Sequence, residues 1–288
     1  MALALAKQRG FTLVELIMVI VVLAIVATVT TSYLGIGAQM YVESSDRDRL
    51  LSQSRFAVER LTRELRSALP NSVRTHISAS QKCVEFTPVL VATRYASLPL
   101  FTAEPELELF GLSNQWADMA SNEVQYGTEG LRVYVYATTK SQIYQATETN
   151  PGVPGVFFAL DSSAPTPDPY DITANASGFD IRLKFANSAL FSRASPSKRL
   201  YIVRQPIAYC ALATGQLIRH SQYGFSAGTP AFGTGVLMAE GVNFNQSSFS
   251  VDDAVLSRNS VVHVVLAFVS AFGDDLFFNQ EVHVPNVP

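Results

Sequence analysis

Charge is scarce in this chain and unevenly spread. Asp, Glu, Lys and Arg make up 16% of its 288 residues and leave a net charge of −3. No basic surplus is present to hold a nucleic-acid backbone, so nucleic acid is not an expected partner. Histidine is limited to His76, His220, His263 and His283, scattered without ligand spacing. The pairs Asp252-Asp253 and Asp274-Asp275 lack the regular oxygen-ligand spacing of a calcium loop and read as solvated turns, so neither a metal nor a cofactor is expected. No glycine-rich loop that could cradle a phosphate occurs, which excludes an assembly motor as the chain's own activity. One catalytic motif does match: Gly224-Phe225-Ser226-Ala227-Gly228 has the G-x-S-x-G form, with His263 and His283 downstream. That motif needs a strand before the serine and a helix after it, and Thr229, Pro230, Gly233, Thr234 and Gly235 forbid the helix. The expectation is a protein that is not an enzyme, with no small-molecule ligand specified.

What is present is concentrated at the N-terminus. From Phe11 to Val29 there are 19 residues with a single charge, Glu15. As a helix this run spans about 28 Å, close to the hydrocarbon thickness of a bilayer. Lys7 and Arg9 precede it, and the first charge after it is Glu43. The positive-inside rule therefore places the N-terminus in the cytoplasm and the bulk of the chain outside. Glu15 is the anomaly, since a carboxylate within such a run costs on the order of 2.5–3.5 kcal/mol on insertion scales unless it finds a partner. Two readings stand: Glu15 snorkels into the cytoplasmic headgroups, or it meets a cation at its own depth. A cut after Gly10 would create that cation as the amine of Phe11, within reach of a neighbouring copy's Glu15 if helices stack with a stagger. An ordinary secretory signal competes for the segment. Its apolar core is shorter and carries no acid, and Ala24, Ala27 and Ser32 offer only a weak small-residue cleavage site.

The run Gly10-Phe11-Thr12-Leu13-Val14-Glu15 resembles the processing site of the type IV pilin and pseudopilin family. The resemblance implies that a prepilin peptidase cuts between Gly10 and Phe11 and methylates the new amine of Phe11. It also implies that Glu15 pairs with that amine in an adjacent subunit. Members at the extreme tip of the related secretion pseudopilus often lack the glutamate, so Glu15 implies a further subunit above this one.

Beyond the apolar run the helical pattern continues to Pro70, where Pro70, Asn71 and Ser72 stop it. Gly35 and Gly37 are expected to loosen it, each costing about 1 kcal/mol of helix propensity. Leu51, Val58 and Leu65 recur every seven residues beside Leu50, Leu61 and Leu69, forming one apolar stripe. The other faces carry six arginines (Arg47, Arg49, Arg55, Arg60, Arg63, Arg66) and no lysine. Glu43 with Arg47 and Glu59 with Arg63 have the favourable i, i+4 spacing, which predicts a solvated, self-paired face; pairing with neighbouring stems is the alternative.

After Ser72 the chain reads mainly as strands. Alternation marks Leu131 to Tyr136 and Ile181 to Phe185, and Val261 to Phe268 and Leu276 to His283 are β-rich. Breaker-rich loops are expected at Asn150 to Gly155 and Asp161 to Tyr170, and a short helix at Leu107 to Ala120. The fold class is therefore α+β: a long N-terminal transmembrane and stem helix, then a mainly antiparallel β head. The expected boundaries are 1–10 leader, 11–69 helix and 70–288 head. Cys83 and Cys210 fall in strand segments of an exported domain, where an oxidising compartment favours a disulfide; two separate buried thiols are the alternative.

The run Lys198 to Cys210, with Gly215 to Arg219 and Tyr223-Gly224, resembles the head of the MSHA pilus biogenesis protein O family, as does the terminal Val282 to Pro288. J-type minor pseudopilins share parts of it and the stem pattern around Arg55 to Pro70. The resemblance implies a minor pilin assembled with other minor and major pilins to initiate or cap a fibre. It would sit in the inner membrane with a periplasmic head, and outside the cell after assembly. A J-type pseudopilin of a type II secretion system and a fibre-borne adhesin are the alternatives.

Overall fold

A computed structural model describes residues 12–110, 131–147, 153–160, 170–171, 181–253 and 259–285. Two compact units divide the chain, Met1–Arg49 and Leu50–Pro288. One helix, α1, runs from Leu13–Arg66. It passes through Gly35 and Gly37 without interruption, so propensity lost at two residues is outweighed by the continuous ladder around them.

In the second unit, α1 buries Leu50, Ser54, Ala57, Val58, Leu61 and Leu65. The heptad reading placed Leu51 in this seam, yet Leu51 is only half-buried. A straight helix has 3.6 residues per turn, so a seven-residue repeat drifts by about 20° and the seam moves off its first member.

The strands are β1 (Arg74–Ile77), β2 (Gln81–Phe86), β3 (Val89–Tyr95), β4 (Glu104–Phe110), β5 (Arg132–Tyr134), β6 (Phe157–Ala159), β7 (Tyr170–Asp171), β8 (Ile181–Ala189), β9 (Arg199–Val203), β10 (Ile207–Leu212), β11 (Gln216–His220), β12 (Val236–Glu240), β13 (Ser248–Asp252), β14 (Ser260–Val269) and β15 (Asp275–Val284). A short helix, α2 (Lys140–Ile143), starts on a Thr139 capping box. The strands form three sheets, ordered β1-β2-β10-β11-β12, β13-β14-β15 and β6-β5-β9-β3-β4-β8-β7. Every strand pair in them is antiparallel. The architecture is α+β, a long apolar helix followed by antiparallel sheets.

The first core lies between the helix seam and the first two sheets, where Leu61 and Leu65 meet Phe86, Tyr209, Val264 and Phe268. Gly241 is required there. Its φ is +75°, and a Cβ would stand 2.7 Å from the Val269 carbonyl oxygen and 3.1 Å from Leu50. A second core covers one face of the seven-stranded sheet, around Leu109, Val133, Phe158 and Ile202. A third gathers Leu69, Tyr134, Tyr144, Phe157 and Val203.

Two expectations for the strand region also change. Leu107 to Phe110 is strand, not helix; the remainder of that segment, 111–120, lies outside the described residues. Glu104, Glu106 and Glu108 alternate with Leu107 and Leu109, and the two leucines are buried while the acids are not. This is a period of two. Second, Leu131 to Val135 is buried on both faces rather than alternately exposed. Leu131, Val133 and Val135 enter the second core and Tyr134 the third. Arg132 survives burial because its guanidinium donates to the Gln145 and Ala146 carbonyls at 2.6 and 2.8 Å and stacks on Phe157 and Phe225. Of the loops expected at Asn150 to Gly155 and Asp161 to Tyr170, residues 150–152 and 161–169 lie outside the described residues, and Tyr170 belongs to β7.

Candidate functional site

The first turn of α1 holds the described part of the N-terminal motif. Gly10 and Phe11 lie outside the described residues. Thr12 occupies the N-cap: its Oγ1 accepts from the Glu15 backbone N–H at 3.3 Å, and its carbonyl accepts from Leu16 N–H at 3.2 Å. Thr12-Leu13-Val14-Glu15 has the sequence of a capping box, and an acidic residue in the first turn also complements the helix dipole. Glu15 thus has a local task in the helix start besides any intersubunit one. The T-x-x-E spacing was visible in the sequence but was absorbed into the processing motif.

From Leu13 the helix is long and apolar enough to cross a membrane, and every residue from Leu13 to Val42 is exposed. Its hydroxyls are turned inward on the backbone. Thr28, Thr30, Thr31 and Ser32 donate to the carbonyls of Ile25, Val26, Ala27 and Thr28 at 2.5–3.1 Å. In an apolar medium such back-bonding removes the cost of an unsatisfied hydroxyl.

The second unit contains two carboxylates that gather several donors. Glu85, fully buried on β2, accepts from Arg74 Nε at 2.7 Å, bonds His76 Nε2 at 2.6 Å and accepts from the Tyr223 hydroxyl at 3.1 Å. Arg74 also donates to the Ser226 and Ala227 carbonyls at 2.8 and 3.2 Å and lies 3.5 Å over the Tyr144 ring. The G-x-S-x-G segment is therefore gripped by its backbone. It follows β11 only after an intervening stretch and leads to β12, so the strand-turn-helix of a nucleophile elbow is not formed. Burial and the Glu85 charge push the Tyr223 phenol well up, which keeps it a donor.

Glu64, on α1, accepts from Arg60 and Arg219 at 3.0 Å and from Tyr209 at 2.9 Å. The i, i+4 pair of the stem is thus Arg60 with Glu64, whereas the pairing expected of Glu59 with Arg63 does not form. Glu43 accepts from Gln39 at 3.0 Å rather than from Arg47. Tertiary donors from β10 and β11 select Glu64 over the equally spaced alternatives. Burial opposes ionisation of Glu64, but the hydrogen bonds and charge of Arg219, with Arg60 and Tyr209, outweigh it and hold its carboxyl below the usual value of 4.5. His220 is depressed below its ordinary 6.5 by burial, although its Nδ1 donates to the Gly233 carbonyl at 2.9 Å.

A pH dependence follows from these directions. The unfolded chain takes up protons at both groups at higher pH than the folded chain, so stability falls as the medium is acidified. His220 acts first, below pH 6.5 and down to its lowered folded value; Glu64 acts below 4.5. The denaturation midpoint should decline between pH 7 and 5, and His220→Asn should flatten that stretch. An unchanged slope in the variant would remove His220 as its source.

Cys83 and Cys210 are direct register partners on β2 and β10, with Cα atoms 4.0 Å and sulfurs 2.11 Å apart. Both are buried beneath Tyr223 and Phe232. His263 stands 3.5 Å from Asp252 and from Glu281, and Asp253 pairs with Lys140 at 2.6 Å. Among the described residues no group of three or more His, Cys, Asp or Glu could hold a metal ion.

Residues 5–31 match the family described as the prokaryotic N-terminal methylation motif. This is a type IV pilin-like prepilin signal, the kind of segment that directs a chain to prepilin peptidase and to assembly with other pilins, and it points to a structural protein. No curated protein and no solved structure matches the chain.

Proposed function

We propose that the chain is a minor pilin of an MSHA-type pilus, similar to the MSHA pilus biogenesis protein O. Prepilin peptidase cuts it between Gly10 and Phe11 and methylates the Phe11 amine. It then assembles from the inner membrane, with its head in the periplasm, and joins other minor pilins to initiate or cap the fibre. The observation that carries the reading is the methylation motif over residues 5–31 at the head of a membrane-length helix. Glu15 would pair with the Phe11 amine of the adjacent subunit, because a carboxylate at that depth needs a cation and the processed N-terminus is one. A Cys83–Cys210 bond would staple the exported head.

Mass spectrometry of the mature N-terminus tests this. The expected result is a chain beginning at N-methylated Phe11; an intact Met1, or a cut elsewhere, overturns it. Glu15→Leu should still be processed yet enter fibres at least about ten-fold less, since truncating one partner of a buried intersubunit ion pair costs about 2–5 kcal/mol. Fibre incorporation is read by immunoblot of sheared filaments.

A further inference from the structure

Most sheet edges in the second unit are short: β1, β6, β7, β12 and β13 have two to five residues each. The exception is β15. It pairs with β14 along all ten residues, Asp275↔Val269 to Val284↔Ser260, without a register shift. No described strand lies on its other side. Proteins blunt such edges with proline, charged side chains, bulges or short length. β15 is long and carries no proline, lysine or bulge; its two acids, Asp275 and Glu281, alternate onto the face opposite Phe278 and Gln280, and Phe277 is 64% exposed on it.

Beside this edge, between β15 and α1, lies a cleft of about 470 Å³. Its strand wall is Phe278 and Gln280; its helix wall carries Arg55, Thr62, Arg63 and Arg66. The three arginines face one acid, Glu59, and no described side chain pairs with them. Thr62 Oγ1 is buried there without a hydrogen-bond partner. Arg55 and Arg66 are about 16 Å apart along the helix, the reach of about five strand residues, of which three face one way.

We propose that β15 and this cleft receive an extended acidic segment of a neighbouring subunit. It adds a fourth strand to the β13-β14-β15 sheet and turns the carboxylates of one face toward the arginine wall, Arg55 at one end and Arg63 with Arg66, about 12 and 16 Å further along the helix, at the other. The backbone edge selects a polypeptide, since a lipid headgroup could meet the arginines but could not continue the ladder. The arginines select acids. A second copy of this chain fits poorly, because its own alternating acids are already engaged: β4 is paired with β8, and Glu106 and Glu108 lie 4.0 and 3.6 Å from Arg182.

The partner's identity as a pilin subunit rests on the function proposed above, but the binding does not, and the N-terminal mass is measured independently of it. The test uses the mature full chain in neutral-lipid nanodiscs and a labelled ten-residue peptide of alternating threonine and glutamate. It should bind, and amides within 275–284 should exchange more slowly. Binding should weaken at least ten-fold when lysine replaces glutamate, when alternate peptide nitrogens are methylated, or in the R55Q/R63Q/R66Q variant, whose changes lie on the exposed helix face. Absence of binding, or equal binding of the lysine or N-methylated peptide, overturns the proposal. So does displacement of the peptide by phosphatidylglycerol nanodiscs without protection of β15, which would make the cleft a headgroup site. Protection of β15 by self-association alone would assign it to a second copy.

Discussion

Glu85→Ala is expected to cost the fold about 3–5 kcal/mol, the range for removing one partner from a buried ion pair and leaving the other uncompensated. Glu85 is fully buried, and its two oxygens serve Arg74, His76 and Tyr223. Removing them strands three donors at once, and Arg74 also ties the Ser226 and Ala227 carbonyls to β1. Proteolysis within 221–235 should therefore accelerate along with global unfolding. Denaturant titration of the full chain measures the first effect and limited digestion the second. Arg74→Ala should be comparably costly, because it leaves the Glu85 charge facing only His76 and Tyr223. The double variant should cost clearly less than the sum of the two, since each single change already breaks the shared contact. Additive losses would mean that the two side chains act separately, and a loss below about 1 kcal/mol for Glu85→Ala would show the cluster to be marginal.

Little of that cluster could be read from the sequence, whereas the frame around it could. The apolar run and the helix stripe depend on near neighbours, so periodicity alone located α1 and the segments that became β8, β14 and β15. His76 looked merely scattered, because its partner is nine residues away across a turn. The hint was the hairpin: Arg74 and Glu85 are opposite charges placed directly across β1 and β2. Nothing local marks the other members. Tyr223 reaches Glu85 over 138 residues and Arg219 reaches Glu64 over 155, distances set by strand order rather than by any pattern. The same limitation explains the stem arginines. Spacing alone treats Glu59-Arg63 and Arg60-Glu64 as equals, and only β10 and β11 decide between them. Leu107 to Phe110 failed in the other direction: the two-residue alternation of acids and leucines was present, but the helix-compatible composition of that stretch concealed it.

Replacing both Cys83 and Cys210, as the C83A/C210A variant, should destabilise the head by about 2–5 kcal/mol, the range for loss of a native disulfide from a small secreted domain. The two cysteines are 127 residues apart in sequence, so a bond between them closes a long loop and restricts the unfolded chain strongly, although logarithmically with its length. The folded state should keep its topology, because β2 and β10 still pair from Ile207↔Phe86 to Leu212↔Gln81 and the alanines fit the same apolar pocket. For a unit of this size the melting temperature should drop by on the order of 10 °C at unchanged far-ultraviolet circular dichroism. Accessibility should follow the same logic. With both sulfurs buried under Tyr223 and Phe232, a reductant should open the bond slowly in native buffer and rapidly in denaturant. Glu85→Ala should narrow that difference, because Tyr223 loses the acceptor that holds it over the sulfurs. Thiol labelling of the denatured, unreduced protein decides the matter: the bond predicts no labelling until reductant is added, and two labelled cysteines without it would leave Cys83 and Cys210 as buried thiols.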